Sequence, residues 1–307
     1  MTYSEIWHRI ATSYDDGEAR AIARILIEEL FGLSYTDIVC GATEQLSADD
    51  TLRLDTAVRR IEQGEPLQHV LGYADFCGNR FSVNSSVLIP RPETEWLVDE
   101  GAKLMSTTAT SSPKRILDIG TGSGCIAISL KLRLGDAYVE AWDISEEALR
   151  TAQDNADALK AEVVFRKRDA LRADNTAAPW DLIVSNPPYI CDSERSAMDD
   201  NVLLHEPHTA LFVPDDDPLR FYRAIARYAL LTLNIGGSLL FECNTRYAEA
   251  TGAMLSDMGF EEVTVSDDCF SLPRFVRGRK NSPAQQPLPI NSPSQPSPSG
   301  RAWLPKA

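Results

Sequence analysis

Six cysteines and four histidines are scattered through this 307-residue chain, with no CxxC pair and no regular spacing. That removes the usual frameworks for a structural zinc site and for a disulfide scaffold. Cys40, Cys77, Cys125, Cys191, Cys243 and Cys269 lie mostly in or beside apolar segments. There a free thiol behaves as a small core residue, as in a reducing cytoplasm. The one close histidine pair, His205-Glu206-Pro207-His208, has a proline within its spacing that breaks any helical ligand face, so no metal is expected. Positive charge is also in deficit, with 30 basic residues against 45 acidic ones. The electrostatic footprint of a nucleic-acid binder is therefore missing, and a protein partner or a small basic surface is the better expectation. No apolar run reaches the length of a membrane span. Met1–Glu5 lacks a basic segment leading into an apolar one, so no signal peptide is expected and the location is read as cytoplasmic.

What is present divides by periodicity. From Tyr3 to about Gly72 the pattern is helical. Ala19–Phe31 repeats apolar residues at three and four and stops at Gly32, and Ser47 caps a second helix running to Gly64. Residues 76–93 then alternate, with Phe81, Val83 and Val87 flanking Asn84-Ser85-Ser86, which reads as a hairpin linker. After Thr94 comes a helix, and Ser106–Ser112 reads as a surface loop.

Beyond it strands and helices alternate to Arg279. The strands are read at 115–119, 138–142, 162–166, 181–185, 238–242, 262–266 and 275–279. This predicts an α/β fold with a doubly wound, mostly parallel sheet whose ligands sit at the strands' C-terminal ends. The expected organisation is a helical domain over 1–75, a linker over 76–93, an α/β domain over 94–280 and a Pro/Ser-rich tail over 281–307. Such a tail cannot bury a core.

Two strand ends carry the chemistry. Gly120-Thr121-Gly122-Ser123-Gly124 forms a strand-to-helix turn where glycine lets a ligand approach the main chain. Its G-x-G-x-G spacing differs from the G-x-G-x-x-G of dinucleotide dehydrogenases. Asp143 ends the next strand, about 20 residues on, where a carboxylate can accept hydrogen bonds from both ribose hydroxyls. That fixes a ribose and not a reaction, since NAD and S-adenosylmethionine both carry one. Asp169, followed by Ala170, ends the third strand, where it can meet an adenine amino group.

The second strand end is Asn186-Pro187-Pro188-Tyr189. An amide nitrogen is a poor nucleophile, because its lone pair is delocalised, so both N–H groups must be held and the nitrogen aimed. The Asn186 side-chain oxygen and the Pro187 carbonyl are two suitably spaced acceptors, pre-aimed by proline's fixed φ. Tyr189 offers a flat face for the planar group. Positioning of this kind can supply on the order of 7–11 kcal/mol without a metal or a strong base. The same tetrad could present the exocyclic amine of a nucleic-acid base, although such enzymes usually carry a basic recognition surface.

The tetrad, with Ser185 before it and Ile190 after it, resembles that of the HemK-type release-factor N5-glutamine methyltransferases. So do Leu88-Ile89-Pro90-Arg91-Pro92-Glu93-Thr94-Glu95, Glu65–Gly72, Ile116–Ala127 and the later Glu206-Pro207 and Ala210-Leu211. The resemblance covers roughly residues 20 to 280. It implies a helical N-terminal domain, a hairpin linker and a class I methyltransferase domain that methylates the Gln of the Gly-Gly-Gln loop in peptide chain release factors. Carried over, Gly120–Gly124, Asp143, Asp169, Ala170 and Asn186 would hold S-adenosylmethionine. Asn186, Pro187, Pro188 and Tyr189 would hold the Gln, and Arg91 and Glu93 would shape the cleft. The chain departs from the family at Ala170, where some members carry a bulky aromatic beside the adenine, and near Asn244, where a Gly is frequent.

Overall fold

A computed structural model describes residues 1–107, 113–173 and 179–281. Most of the expected surface loop at 106–112 and nearly all of the tail lie outside the described residues. Ser106 and Thr107, which are described, belong to the preceding helix instead.

Helices α1 (Tyr3–Ile10), α2 (Asp16–Phe31), α3 (Tyr35–Val39), α4 (Ala48–Glu62) and α5 (Leu67–Leu71) form the first unit. Local chemistry sets their ends: Asp15 caps α2, Gly32 ends it at φ 67°, and Ser47 caps α4. Their apolar faces meet in a core of their own around Ile6, Ile10, Leu26, Ile27 and Val58. Arg9, bonded to Asp55 at 2.8 Å and Glu62 at 2.7 Å, ties α1 to α4.

A hairpin follows, but not where the alternation placed it. Its strands are β1 (Tyr73–Phe76) and β2 (Asn79–Ser82), and the turn is Cys77-Gly78, at φ 49° and 74°. Both φ values are positive, as a tight hairpin requires. Asn84-Ser85-Ser86 is a separate side-chain-closed turn in which Asn84 Oδ1 accepts from the Ser86 amide at 2.9 Å. The boundary expected at 75/76 thus falls inside β1.

The remaining elements are α6 (Glu95–Thr107), β3 (Arg115–Ile119), α7 (Cys125–Leu134), β4 (Tyr138–Asp143), α8 (Glu146–Leu159), β5 (Val163–Lys167) and β6 (Trp180–Ser185). After them come β7 (Ile190–Cys191), α9 (Asp200–His205), α10 (His208–Leu211), β8 (Phe212–Val213), α11 (Arg220–Thr232), β9 (Leu233–Glu242), α12 (Ala248–Asp257), β10 (Glu261–Asp267) and β11 (Pro273–Arg279). The strand read from Ser238 begins earlier, at Leu233, because it continues through Gly236 and Gly237.

Seven strands form one sheet in the order β10-β11-β9-β6-β3-β4-β5. Strands β3, β4, β5, β6 and β9 are parallel, and β11 is antiparallel to both of its neighbours. This is the doubly wound, mostly parallel sheet the alternation predicts. Apolar clusters cover both faces, one with Leu97, Ile128 and Leu130, the other with Tyr222, Ile225 and Leu255. The hairpin's Phe76 and Phe81 belong to the first, so β1 and β2 are packed into the α/β unit.

The chain runs outward from β3 through β4 to β5, then returns to lay β6 on the other side of β3. Such a reversal opens a crevice at the strands' carboxyl ends. Ile116 pairs with Leu182 and Asp118 with Val184, so the loops after β3 and β6 emerge side by side. Among the described residues, no helix is long and apolar enough to cross a membrane.

The cysteine expectation holds for Cys125, Cys191 and Cys243, which are buried, and fails for Cys40 and Cys269, which are exposed. Both exposed thiols lie in connections, Cys40 just after α3 and Cys269 between β10 and β11.

Candidate active site

A cavity of ≈ 350 Å³ occupies that crevice. Its floor is Ile119, Gly120 and Gly122 after β3, joined by Ser185, Asn186, Pro187 and Pro188 after β6. The two loops are tied directly, because the Ser185 hydroxyl donates to the Ile119 carbonyl at 2.6 Å. A Cβ on Gly120 would stand 3.8 Å from the Asn186 carbonyl oxygen. Gly120 and Gly122 have φ of 78° and 55°, the left-handed region that glycine enters without strain.

Asp143 lines one wall. Its Oδ2 accepts from the Gly122 amide and its Oδ1 from the Ser145 amide, each at 2.9 Å. Burial pushes this carboxyl's pKa up, and those amides only partly offset it. Each oxygen has a further lone pair, so the carboxylate is fixed in place yet able to accept two more donors. Asp169, Ala170 and Leu171 continue the wall, with Asp169 Oδ1 accepting from the Leu171 amide at 2.9 Å. Ile144 from the β4 end and Phe221 from the first turn of α11 also line the cavity. Phe221 and Ala170 pack against the same apolar cluster, so the small Ala170 side chain faces a region where α11 brings an aromatic ring.

Of the residues singled out from sequence, Gly120, Gly122, Asp143, Asp169, Ala170, Asn186, Pro187 and Pro188 line this cavity. The others stand behind it. Thr121 turns inward and donates to the buried Asp118 at 2.6 Å. Burial pushes the Asp118 carboxyl up to about 7, with Thr121 and the Ala127 amide offsetting part of the effect. Ser123 is buried, and its carbonyl accepts from Asn155 at 2.9 Å. Gly124, at φ 82°, sits where α7 meets α8, and a Cβ there would be 2.9 Å from Ile128 Cδ1. Tyr189 directs its hydroxyl to Glu242 at 3.3 Å. Arg91 pairs at 2.5 Å with Glu206, whose side chain is 1% exposed and which also accepts from the Ile89 amide at 3.1 Å. That pair fastens the linker, whose Val87 and Leu88 line the cavity, to the segment bearing Pro207 and Thr209. Glu93 lies outside the cavity lining, near Glu242.

Sequence reasoning missed three participants. Thr94 Oγ1 donates to Glu242 at 2.7 Å and accepts from Asn186 Nδ2 at 3.4 Å. Asn155 Oδ1 accepts from the Ser82 amide at 2.7 Å, and its Nδ2 donates to the Ser82 and Ser123 carbonyls, binding the hairpin to the glycine loop. Phe221 is the third. Only Phe221 had a local signal, as an aromatic at the start of an apolar helix. Among the described residues, no group of three or more His, Cys, Asp or Glu could hold a metal ion.

Chemically, the site offers a glycine floor, a fixed carboxylate suited to a vicinal diol and an apolar slot for a flat ring. Beside them lies a second loop with an amide acceptor. The size and the donor set fit a nucleoside-bearing cofactor such as S-adenosylmethionine.

Comparisons with known proteins agree. Residues 8–72 match the family model described as PrmC N-terminal domain, and residues 95–211 match the methyltransferase small domain. The release factor glutamine methyltransferase of Bacteroides thetaiotaomicron is 43% identical over 268 residues, covering 87% of this chain and 95% of that protein. Its counterpart in Flavobacterium psychrophilum is 37% identical over 272 residues, covering 87% and 94%. Among solved structures, the hMettl16 catalytic domain in complex with MAT2A 3'UTR hairpin 6 superposes with a TM-score of 0.52 at 17% identity. That match covers 78% of this chain and 85% of that one, a likeness of fold.

Proposed function

Because this chain belongs to the release factor glutamine methyltransferase family, and is thus an S-adenosylmethionine-dependent methyltransferase, we propose that its substrate atom is the N5 amide nitrogen of the Gln in the Gly-Gly-Gln motif of a peptide chain release factor. The observation that carries this reading is the sharing of one cavity by the β3 and β6 loops, with the Asn186 amide acceptor beside the cofactor floor.

S-adenosylmethionine, when bound, supplies an electrophilic methyl on a sulfonium. The chain's residues do the rest by placement. Asp143 would accept from the ribose hydroxyls and Asp169 from the adenine amino group. Ala170, Leu171 and Phe221 would enclose the adenine, with Phe221 standing in for the aromatic that some relatives carry at position 170. Gly120 and Gly122 allow close approach along the floor. Asn186 Oδ1 and the Pro187 carbonyl would accept the two N–H groups of the glutamine amide, holding its nitrogen in line. Held there, the amide nitrogen would take the methyl that S-adenosylmethionine supplies, the carbon–sulfur electron pair would stay on sulfur, and one N–H proton would pass to water. Arg91 and Glu206 act on the cleft wall, Glu93 lies behind it, and Tyr189 acts through Glu242.

A base amine as substrate is disfavoured by a net charge of −15. The deciding experiment offers radiolabelled S-adenosylmethionine with an unmethylated release factor and, separately, with bulk DNA. Label should enter the release factor and vanish when its Gly-Gly-Gln glutamine is replaced. Label entering DNA alone would make the tetrad a clamp for a base amine.

A further inference from the structure

We propose that Glu242 is a positioning residue for methyl transfer: acting through Thr94, it sets which end of the Asn186 amide faces the substrate. The inference rests on the reading above, in which Asn186 holds the glutamine amide.

Glu242 ends β9, the strand beside β6, and Phe241 pairs with Ser185, so Glu242 and Asn186 leave the sheet side by side. The Glu242 residue is 1% exposed. Its Oε2 accepts from Thr94 Oγ1 at 2.7 Å and its Oε1 from the Tyr189 hydroxyl at 3.3 Å. An ionised carboxylate only accepts. Thr94 has a single hydroxyl hydrogen, and Glu242 takes it. Toward Asn186, at 3.4 Å, Thr94 is therefore left as an acceptor, so the Asn186 atom facing it must be the NH2 group. The acceptor Oδ1 is thereby turned to the other side, where a substrate N–H needs it.

Reversing the first step reverses the last. A protonated Glu242 can donate to Thr94, whose hydrogen is then free to turn toward Asn186. The Asn186 amide could flip without losing its bond to Thr94, setting NH2 against the substrate's NH2. A neutral amide in place of Glu242 would permit the same flip.

The charge itself has little direct support. Arg274 on β11 is the nearby cation, and it is bonded to Asp268 at 2.7 Å, while Glu93 adds repulsion. A buried carboxylate without a directly bonded cation costs stability that an uncharged side chain would not. Its acceptor-only character is what the site gains. Burial also pushes the Glu242 carboxyl's pKa upward, against Thr94, Arg274 and Tyr189, which lower it.

The test uses the full chain with S-adenosylmethionine and the release factor. Thr94→Val, Thr94→Ser and Glu242→Gln are compared by kcat, by both KM values and by calorimetric binding of S-adenosylhomocysteine. Thr94→Val and Glu242→Gln should lower kcat by about 100-fold, the scale of a misplaced catalytic contact. Their affinity for S-adenosylhomocysteine should stay within about twofold. Thr94→Ser, which restores the hydroxyl, should recover most of the rate. The wild-type kcat should fall on the acid side as Glu242 takes up a proton, and this limb should be missing in Glu242→Gln. A wild-type kcat in Thr94→Val would overturn the proposal, as would equal impairment in Thr94→Ser or a loss confined to cofactor affinity. Thr94→Val nearly preserves shape, so the proposal stays testable if Glu242→Gln folds poorly. A wild-type enzyme that leaves the release factor unmethylated would instead refute the functional reading itself.

Discussion

Asp143 and Asn186 are both polar side chains on the rim of one cavity, yet their surroundings give them different work. Asp143 is locked by two backbone amides and faces the wall formed by the β4 and β5 loops. Asn186 is held by Thr94 and stands on the β6 loop. Replacing Asp143 by Ala should weaken S-adenosylhomocysteine binding by roughly 1.5–3 kcal/mol, the worth of hydrogen bonds to a charged group. Replacing Asn186 by Ala should leave that affinity largely intact and lower kcat by about 100-fold. Calorimetry on both variants, paired with single-turnover rates, separates the two roles. If both variants lost only cofactor affinity, the division between a cofactor wall and a transfer wall would be wrong.

At the scale of elements, the glycine loop is as much a packing joint as a binding surface. Gly124 is the cap residue before α7, at φ 82°, and an added Cβ would meet Ile128 Cδ1 at 2.9 Å and Ala152 Cβ at 3.1 Å. Gly124→Ala combines left-handed strain with overpacking and should cost about 3 kcal/mol. For a domain of this size that is a fall of about 6–12 °C in melting temperature. Adding Ile128→Val removes the nearer clash and should recover part of the loss. An unchanged melting temperature in Gly124→Ala would mean that α7 and α8 shift apart freely. The sequence motif placed a strand-to-helix turn here but said nothing of which glycines line the cavity. That distinction comes from α8, whose Ala152 is in contact only after folding. The ends of α7 and α8 were legible because Gly124, Ser145 and the apolar spacing act locally. The hairpin was misplaced because Asn84 closes a turn of its own with Ser86, whereas Cys77-Gly78 lacks the usual Asn-Gly signature. Thr94–Glu242, Arg91–Glu206 and Asn155–Ser82 join segments far apart in the chain, and such pairs leave no periodic trace in either partner.

For the whole molecule, the placement of the cores decides how far cofactor binding is felt. The helical unit closes on its own cluster, and the cavity's lining begins only at Ser86. The hairpin's Phe76 and Phe81 belong to the α/β unit's core, so the seam between units lies near Gly72, before the hairpin. A ligand stabilises what must be folded to bind it, by about 2.7 kcal/mol at 100 times its dissociation constant. Saturating S-adenosylhomocysteine should therefore slow hydrogen exchange in β3, β4 and β6 by on the order of 100-fold where it follows unfolding of that unit. The amides of α2 and α4 should be almost unaffected. Contacts that could carry the effect across include Arg80 to Glu29 at 2.9 Å, an exposed pair of small expected worth, Tyr73 bonded to Glu29, and Tyr14 bonded to Asn201. Protection spreading equally into α2 and α4 would show that the two units unfold together, and that cofactor occupancy is felt by the helical unit as well.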